Sequence, residues 1–447
     1  MITHIRMKNF KSWKDSGEVK LAPLTGFFGT NSSGKSSLLQ MLLLLKQTAE
    51  RSNAEEVIFF GDDNSLVNLG SFSEVIHGHN VEESLALEFR CEFQVPRQIR
   101  ITEKSEDYPN SILLGVLGFN FRSIMKQEEG ELKIKDFWYK NFSFNNYHNL
   151  QIVPHESAVS LDGKKIGAAK EIKNCYGVPA NEESRLGEIL KQFSSLFEQL
   201  FDQVYYLGPT RVDPQRLYQW QGRHPEQTGQ WGNQTIDALL SARVRNLETS
   251  YDKEDFPIEQ RILNWLQKMD LAHSFSLDWT RIQGGKTYEV RIQKTPSSPP
   301  VTLVDMGYGL AQFLPVIVLC YYAPEGSTII LEQPGIHLHP MVQAQLADLL
   351  IEVVNERKLQ ILVESHSEHL LTRLQRRLVE QQIAQDDVAL YFCRNRDGAS
   401  TIDKLDIGAE SGDIKNWPEN FFGDVMGDMI AMTDKQVETI AEKESEG

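Results

Sequence analysis

Residues 83–95 alternate strictly between polar and apolar, placing Leu85, Leu87, Phe89, Cys91, Phe93 and Val95 on one face. A period of two sustained over that length predicts a half-buried strand. Strand-like stretches at 111–121 and 132–144 follow across polar, charged turns, so residues 81 to about 165 read as an antiparallel meander. Upstream, the first 40 residues read strand, turn, strand, glycine-rich loop, helix. Ile5, Met7 and Asn9 alternate with polar neighbours, an apolar run spans 24–28, and residues 36–46 are dense in Leu and Met without Gly or Pro.

The pattern changes to helical spacing between about 182 and 269, broken at Gly208-Pro209 and by a Gln/Gly/Trp-rich loop at 219–232. Strand character returns at 288–292. From Val301 the order is strand or loop, helix (309–322), strand (328–331), helix (340–355), strand (360–363), helix (368–381), strand (388–394). Such alternation predicts a mainly parallel sheet with helices on its faces. The chain therefore divides into an N-terminal lobe (1–80), an antiparallel β subdomain (81–180), a helical insertion (181–295), a C-terminal lobe (296–400) and a cap with an acidic tail (401–447).

Composition narrows the class. With 447 residues, 40% hydrophobic and 24% charged, the chain suits a folded globular protein rather than a disordered or fibrous one. The longest apolar run, near 41–45, is far too short to span a bilayer, and residues 1–9 carry no secretory h-region. Four dispersed cysteines without a CxxC pair suit a reducing cytoplasm. Lys and Arg number 46 against 62 Asp and Glu, a formal charge of −16, which opposes wholesale coating of nucleic acid but leaves room for a local basic groove.

Phosphate chemistry must then sit in a focused site, and one is visible. Gly29-Thr30-Asn31-Ser32-Ser33-Gly34-Lys35-Ser36 fits GxxxxGK[ST] at every fixed position, after an apolar strand and before an apolar helix. The glycines let backbone N–H groups turn toward phosphate oxygens, with the helix N-terminus behind them. Lys35 is positioned for the β/γ-phosphates and the Ser36 hydroxyl for Mg²⁺, with Ser37 close by. A short apolar strand ends in Glu332, followed by Gln333, and a second ends in Glu364, followed by Ser365-His366-Ser367. Two strand ends thus converge where ligands of open α/β sheets bind, with His366 placed for a γ-phosphate or an attacking water.

These motifs together resemble the SMC/RecF/OLD class of ABC-type ATPases. Asn9-Phe10-Lys11-Ser12-Trp13 is similar to its first strand, residues 31–36 to its P-loop, Glu332-Gln333-Pro334-Gly335-Ile336-His337-Leu338-His339-Pro340 to its Walker B and D-loop, and His366 to its switch histidine. Residues Asn416-Trp417-Pro418-Glu419-Asn420-Phe421-Phe422 resemble the C-terminal region of a prokaryotic OLD-like subfamily associated with anti-phage defence. The resemblance implies an α/β P-loop NTPase with an ABC-type head: a mixed sheet with flanking helices, an antiparallel β subdomain and a helical insertion. It implies ATP and Mg²⁺ as ligands, with Ser36 and Glu332 at the metal. It further implies a homodimer or higher even oligomer closing on ATP, with Asp305, Gly307 and Gly309 at the signature position although the segment is not LSGGQ.

Walker B departs from the pattern. Where the class carries Asp then Glu, this chain has Glu332 then Gln333. An amide orients water but cannot take its proton, so the expectation is slow hydrolysis timed like a switch, with hydrolysis using Glu332 or Glu364 as base and an ATP-gated clamp with little hydrolysis as the other readings. The stretch beyond His366 is short for a Toprim nuclease domain, so the resemblance implies a separate effector, a nuclease or toxin. A RecF-like repair ATPase and a non-hydrolysing scaffold are the alternatives. DNA is a further candidate partner through His369, Arg373, Arg376 and Arg377 on one helix and through Arg211, Arg216 and Arg223 interleaved with Tyr218, Trp220 and Trp231. The histidines near these acids read as loop residues rather than as a transition-metal site, and no membrane partner is expected.

Overall fold

The structure, a computed structural model, describes residues 1–51, 56–103, 110–142, 147–153, 158–161, 164–167, 174–177, 185–245, 258–282, 285–408, 410–418, 430–433 and 435–436. Residues 419–422 of the C-terminal motif and most of the acidic tail lie outside them. In the N-terminal half the elements are β1 (Ile2–Phe10), β2 (Trp13–Asp15), β3 (Val19–Lys20), β4 (Leu24–Gly29), α1 (Lys35–Glu50) and α2 (Phe72–Val75). The meander follows as β5 (Leu85–Glu103), β6 (Asn110–Glu128), β7 (Glu131–Phe142), β8 (Tyr147–Val153), β9 (Ala158–Leu161) and β10 (Lys164–Gly167). Next come α3 (Arg185–Asp202), β11 (Val204–Leu207), β12 (Tyr218–Gln219), α4 (Thr235–Arg245), α5 (Ile258–Lys268), β13 (Ser274–Ile282), β14 (Gly285–Gln293) and β15 (Val301–Thr302). The last lobe is α6 (Tyr308–Tyr322), β16 (Thr328–Glu332), α7 (Pro340–Arg357), β17 (Gln360–Glu364), α8 (Glu368–Val379), β18 (Val388–Arg396) and β19 (Ala399–Lys404).

Among the described residues the strands form three sheets. The central one has the order β11-β16-β17-β4-β18-β19, parallel except for β19. Its strands β4, β16 and β17 are buried along their whole length, which explains why they read as unbroken apolar runs rather than as alternation. A strand from the end of the sequence, β17, thus sits beside the P-loop strand β4 from its beginning. The largest sheet is antiparallel, β10-β9-β8-β7-β6-β5-β1-β2 with β3 on β1, and a small one is β12-β14-β13 with β15 on β14.

Alternate residues of the central strands face two cores. Leu24, Phe28, Leu331, Ile361 and Val363 pack with α6 to α8 on one side. Phe27, Ile330 and Leu362 pack on the other with α1, α3 and the large sheet, where the pairs Phe89–Phe119, Phe119–Tyr139 and Phe121–Phe197 meet edge to face. The N-terminus is tied to this sheet by Gln360, whose side chain accepts from Ile2 N at 3.0 Å and donates to Ile2 O at 2.6 Å.

Two elements differ from the sequence reading. The segment 182–269 is not uniformly helical: Val204–Leu207 is the edge strand of the central sheet, pairing in parallel with β16. Four apolar residues buried on both faces give no period-two signal to separate them from a helix turn. Strand β5 also runs on past Pro96. The β5–β6 register shifts between Glu92 and Arg97, and a bulge there accommodates the proline.

Candidate nucleotide site

Residues 29–34 join β4 to α1 as a tight loop. Gly29 has φ 135° and Gly34 φ 89°, both in the left-handed region. A Cβ on Gly34 would lie 2.6 Å from Ser400 Oγ and 2.7 Å from Trp13 Nε1, so the loop closes against β2 and β19 only because no side chain is there. The Trp13 indole donates to Gly34 O at 3.0 Å, clamping the loop from outside. Thr30, Asn31 and Ser32 form its exposed tip, while Ser33, Lys35 and Ser37 are buried. The Lys35 ammonium donates to Thr30 O at 2.7 Å and Gly29 O at 3.2 Å. Burial lowers its pKa, opposed by the nearby Glu364 carboxylate.

The parallel register of β16 and β17 sets Glu332 opposite Glu364, and of β17 and β4 sets Glu364 opposite Phe27. Glu332 shares the strand face of Ile330, and Glu364 that of Leu362, the face that α1 covers. Two buried acids therefore lie side by side at the strand ends, next to the P-loop. Burial first, then each other's charge, pushes Glu332 up to about 7. Glu364 is raised as well, by burial, against the pull of the neighbouring Ser36 hydroxyl, Lys35 charge and Gln333 amide. One of its oxygens, Oε2, has no partner. Gln333 adopts φ 49° and its main-chain N–H donates to Glu364 O at 2.9 Å. His366 is exposed at the mouth of the site beside Gly29; partial burial of its ring and the Lys35 charge hold its pKa below the ordinary value.

Lys35, Ser36, Glu332, Gln333, Glu364 and His366 are thus gathered in one place, with Ser36 beside Glu364. The oxygens of Ser36, Glu332 and Glu364 make the all-oxygen donor set that suits Mg²⁺, so the residues present fit that ion. Asp305, Gly307 and Gly309 are held elsewhere, on the turn into α6. Asp305 forms a bidentate pair with Arg216 at 2.7 and 2.8 Å and accepts from Thr302 at 2.7 Å, contacts that pull its pKa down to about 2. Gly309 packs on the His337 carbonyl, and the Tyr308 and His337 rings lie 5.1 Å apart, so this segment rests on the loop after β16.

Sequence reasoning missed two partners of Glu332. Tyr206 Oη donates to Glu332 Oε1 at 3.0 Å, and Arg211 Nη2 donates to Glu332 O at 3.2 Å. The signal that could have found them is the segment Tyr205-Tyr206-Leu207-Gly208-Pro209-Thr210-Arg211, whose aromatic and basic residues flank a Gly-Pro turn. The structure corrects the placement of Arg211 as a nucleic-acid contact, since it is only 4% exposed. Four other arginines on that reading are engaged by acids: Arg216 by Asp305, Arg373 and Arg377 by Asp348, and Arg376 by Glu380. His339 caps α7 by accepting from Met341 N. All four cysteines are free and buried.

A phosphate loop on the first strand of a parallel sheet, faced by acids from two neighbouring strand ends and flanked by an antiparallel β lobe, defines a P-loop NTPase with an ABC-type head. Residues 1–371 match the AAA ATPase domain family (AAA_15), and the chain belongs to that family. Residues 383–431 match a second family, of unknown function (DUF3696). No curated protein matches the chain. Similar solved structures include an SMC head bound to the C-terminal winged-helix domain of ScpA, at 13% identity and a TM-score of 0.44 over 90% of this chain and 97% of that one. The SMC head of Thermotoga maritima gives 12% identity and 0.36 over 91% and 99%, and a Pyrococcus furiosus Smc head bound to the C-terminal domain of ScpA gives 11% and 0.40 over 90% and 96%. Similarity at this level says nothing about function. Among the described residues no helix is long and apolar enough to cross a membrane.

Proposed function

We propose that the chain binds Mg·ATP between residues 29–37 and the strand-end acids and hydrolyses it slowly. Ser36 and Glu332 would hold the ion, whose charge would offset that of the phosphates. Gln333 orients the attacking water, and Glu364 takes its proton. The observation that carries this reading is the main-chain bond from Gln333 N to Glu364 O at 2.9 Å. It sets a buried carboxylate with one open oxygen beside the residue standing where the class has its base. A proton acceptor one side chain removed from the usual position fits low turnover. Phosphate release under Mg²⁺ is expected above that of Lys35→Ala, which loses nucleotide binding. Equal release by the two proteins sinks the ATPase reading.

ATP also closes a dimer through the signature edge, which presents or withholds a surface for a separate nuclease or toxin in anti-phage defence. Support comes from the resemblance and from the exposed apolar side chains of Val304, Tyr308, Ile336 and Met341 around that edge. Light scattering should show a dimer with ATP that Met341→Asp abolishes while nucleotide binding persists. Affinity purification from the native host with and without ATP identifies the partner, and recovery of DNA alone favours the repair alternative.

A further inference from the structure

The segment 204–211 belongs to none of the nucleotide motifs, yet two of its side chains meet at the end of β16. Register explains how. Tyr206 pairs with Ile330, so its ring lies on the strand face that also carries Glu332, and its hydroxyl reaches forward to that carboxyl. A side chain on Gly208 would crowd this hydroxyl, with its Cβ 3.1 Å away. The chain then turns through Pro209 and brings Arg211 back under the same residue, where Nη2 holds the Glu332 carbonyl. The turn is fixed by main-chain bonds from Gly208 N to Gln230 O at 2.8 Å and from Val212 N to Trp231 O at 3.0 Å.

Arg211 is an expensive group to place there. Its Nε and Nη1 are buried and have no partner in the structure. A buried guanidinium with open donors is retained where its fork serves a neighbour, here the main chain at Glu332. Glu332 is thereby gripped at both ends, by a hydroxyl at the side chain and by a guanidinium at the main chain. Nothing on β16 itself supplies either contact.

We infer that Tyr206 and Arg211 are positioning residues that hold the Glu332 carboxylate toward Lys35, Ser36 and Glu364, and so set how strongly Mg²⁺ couples to nucleotide. The inference rests on the Mg·ATP reading above. Partners of this kind, bonded to a ligating carboxylate, typically govern metal affinity or activity by about 10–100-fold.

The experiment measures the affinity of the purified chain for a fluorescent ATP analogue in EDTA and in excess Mg²⁺, and phosphate release alongside. For Tyr206→Phe and Arg211→Ala, the expected result is unchanged affinity in EDTA, with the Mg²⁺-dependent gain cut by about tenfold and kcat falling with it. Arg211→Lys, which can still donate to the Glu332 carbonyl, recovers part of the gain. A gain equal to or above the parent's in both variants overturns the inference, as does a parallel loss of affinity in EDTA and in Mg²⁺, the mark of a merely structural role. If Arg211→Ala does not fold, the near-isosteric Tyr206→Phe decides alone. A parent that binds Mg·ATP but releases no more phosphate than Lys35→Ala defeats the hydrolysis reading while leaving the coupling measurable.

Discussion

The two loop-to-helix turns that carry the nucleotide motifs are built in opposite ways. At the P-loop, charge is buried: Lys35, Glu332 and Glu364 lie within the fold and shift one another's protonation. At the signature turn, charge is exposed: Asp305 and Arg216 pair in solvent, and the apolar side chains around them are open. The first gathers charges where electrostatic interactions are strengthened by low dielectric, as the proposed nucleotide chemistry requires. The second, on the reading proposed above, is half of an interface, because exposed apolar groups clustered beside a fixed ion pair are best satisfied by a second surface.

The comparison can be broken at its strongest point by Glu364→Gln, which keeps shape and removes the proton acceptor. Turnover is expected to fall by about 10²–10⁴-fold with ATP affinity retained, as single-turnover phosphate release would show. Activity within threefold of the parent would move the base to another residue.

Burial of the acids also makes stability pH-dependent. The folded value of Glu332, about 7, lies above its ordinary 4.5, so the folded chain keeps a proton there that the unfolded chain releases. The cost is absent below pH 4.5, grows between 4.5 and 7, and is complete above 7. Glu332→Gln, free of nucleotide and metal, should therefore be more stable than the parent at pH 8 by roughly 2–3 kcal/mol and nearly equal at pH 4, by urea titration. An advantage that is the same at both pH values would show that packing, not charge, is responsible.

The smallest effect belongs to the exposed turn. Arg216→Ala breaks a solvent-screened pair and should shift the melting temperature by no more than ~1–2 °C, while weakening ATP-driven dimerisation measured by light scattering. A large loss of stability would place this pair in the fold rather than at an interface.

The P-loop was legible because its chemistry is local: eight consecutive residues specify turn, donors and helix start. The central strands were legible as short apolar runs for a similar reason, and Glu332 and Glu364 because each ends such a run. The edge strand Val204–Leu207 was not, since its strand identity comes from pairing with β16 rather than from its own pattern. Arg211 misled in the same way. An arginine in a Gly/Pro-rich stretch reads as a surface residue, and only the return of the chain past Pro209 buries it beneath Glu332.

By itself, then, the sequence determined the phosphate loop, the strand-end acids and the succession of strands and helices, because each depends on neighbours a few positions away. The tertiary structure alone decided that Ser36 and Gln333 lie beside Glu364, that Tyr206 and Arg211 grip Glu332, and that the arginines are mostly spent on acids. The grip on Glu332 joins residues more than a hundred positions apart. Such contacts arise from strand order and register in a sheet assembled from both ends of the chain, which no local pattern encodes.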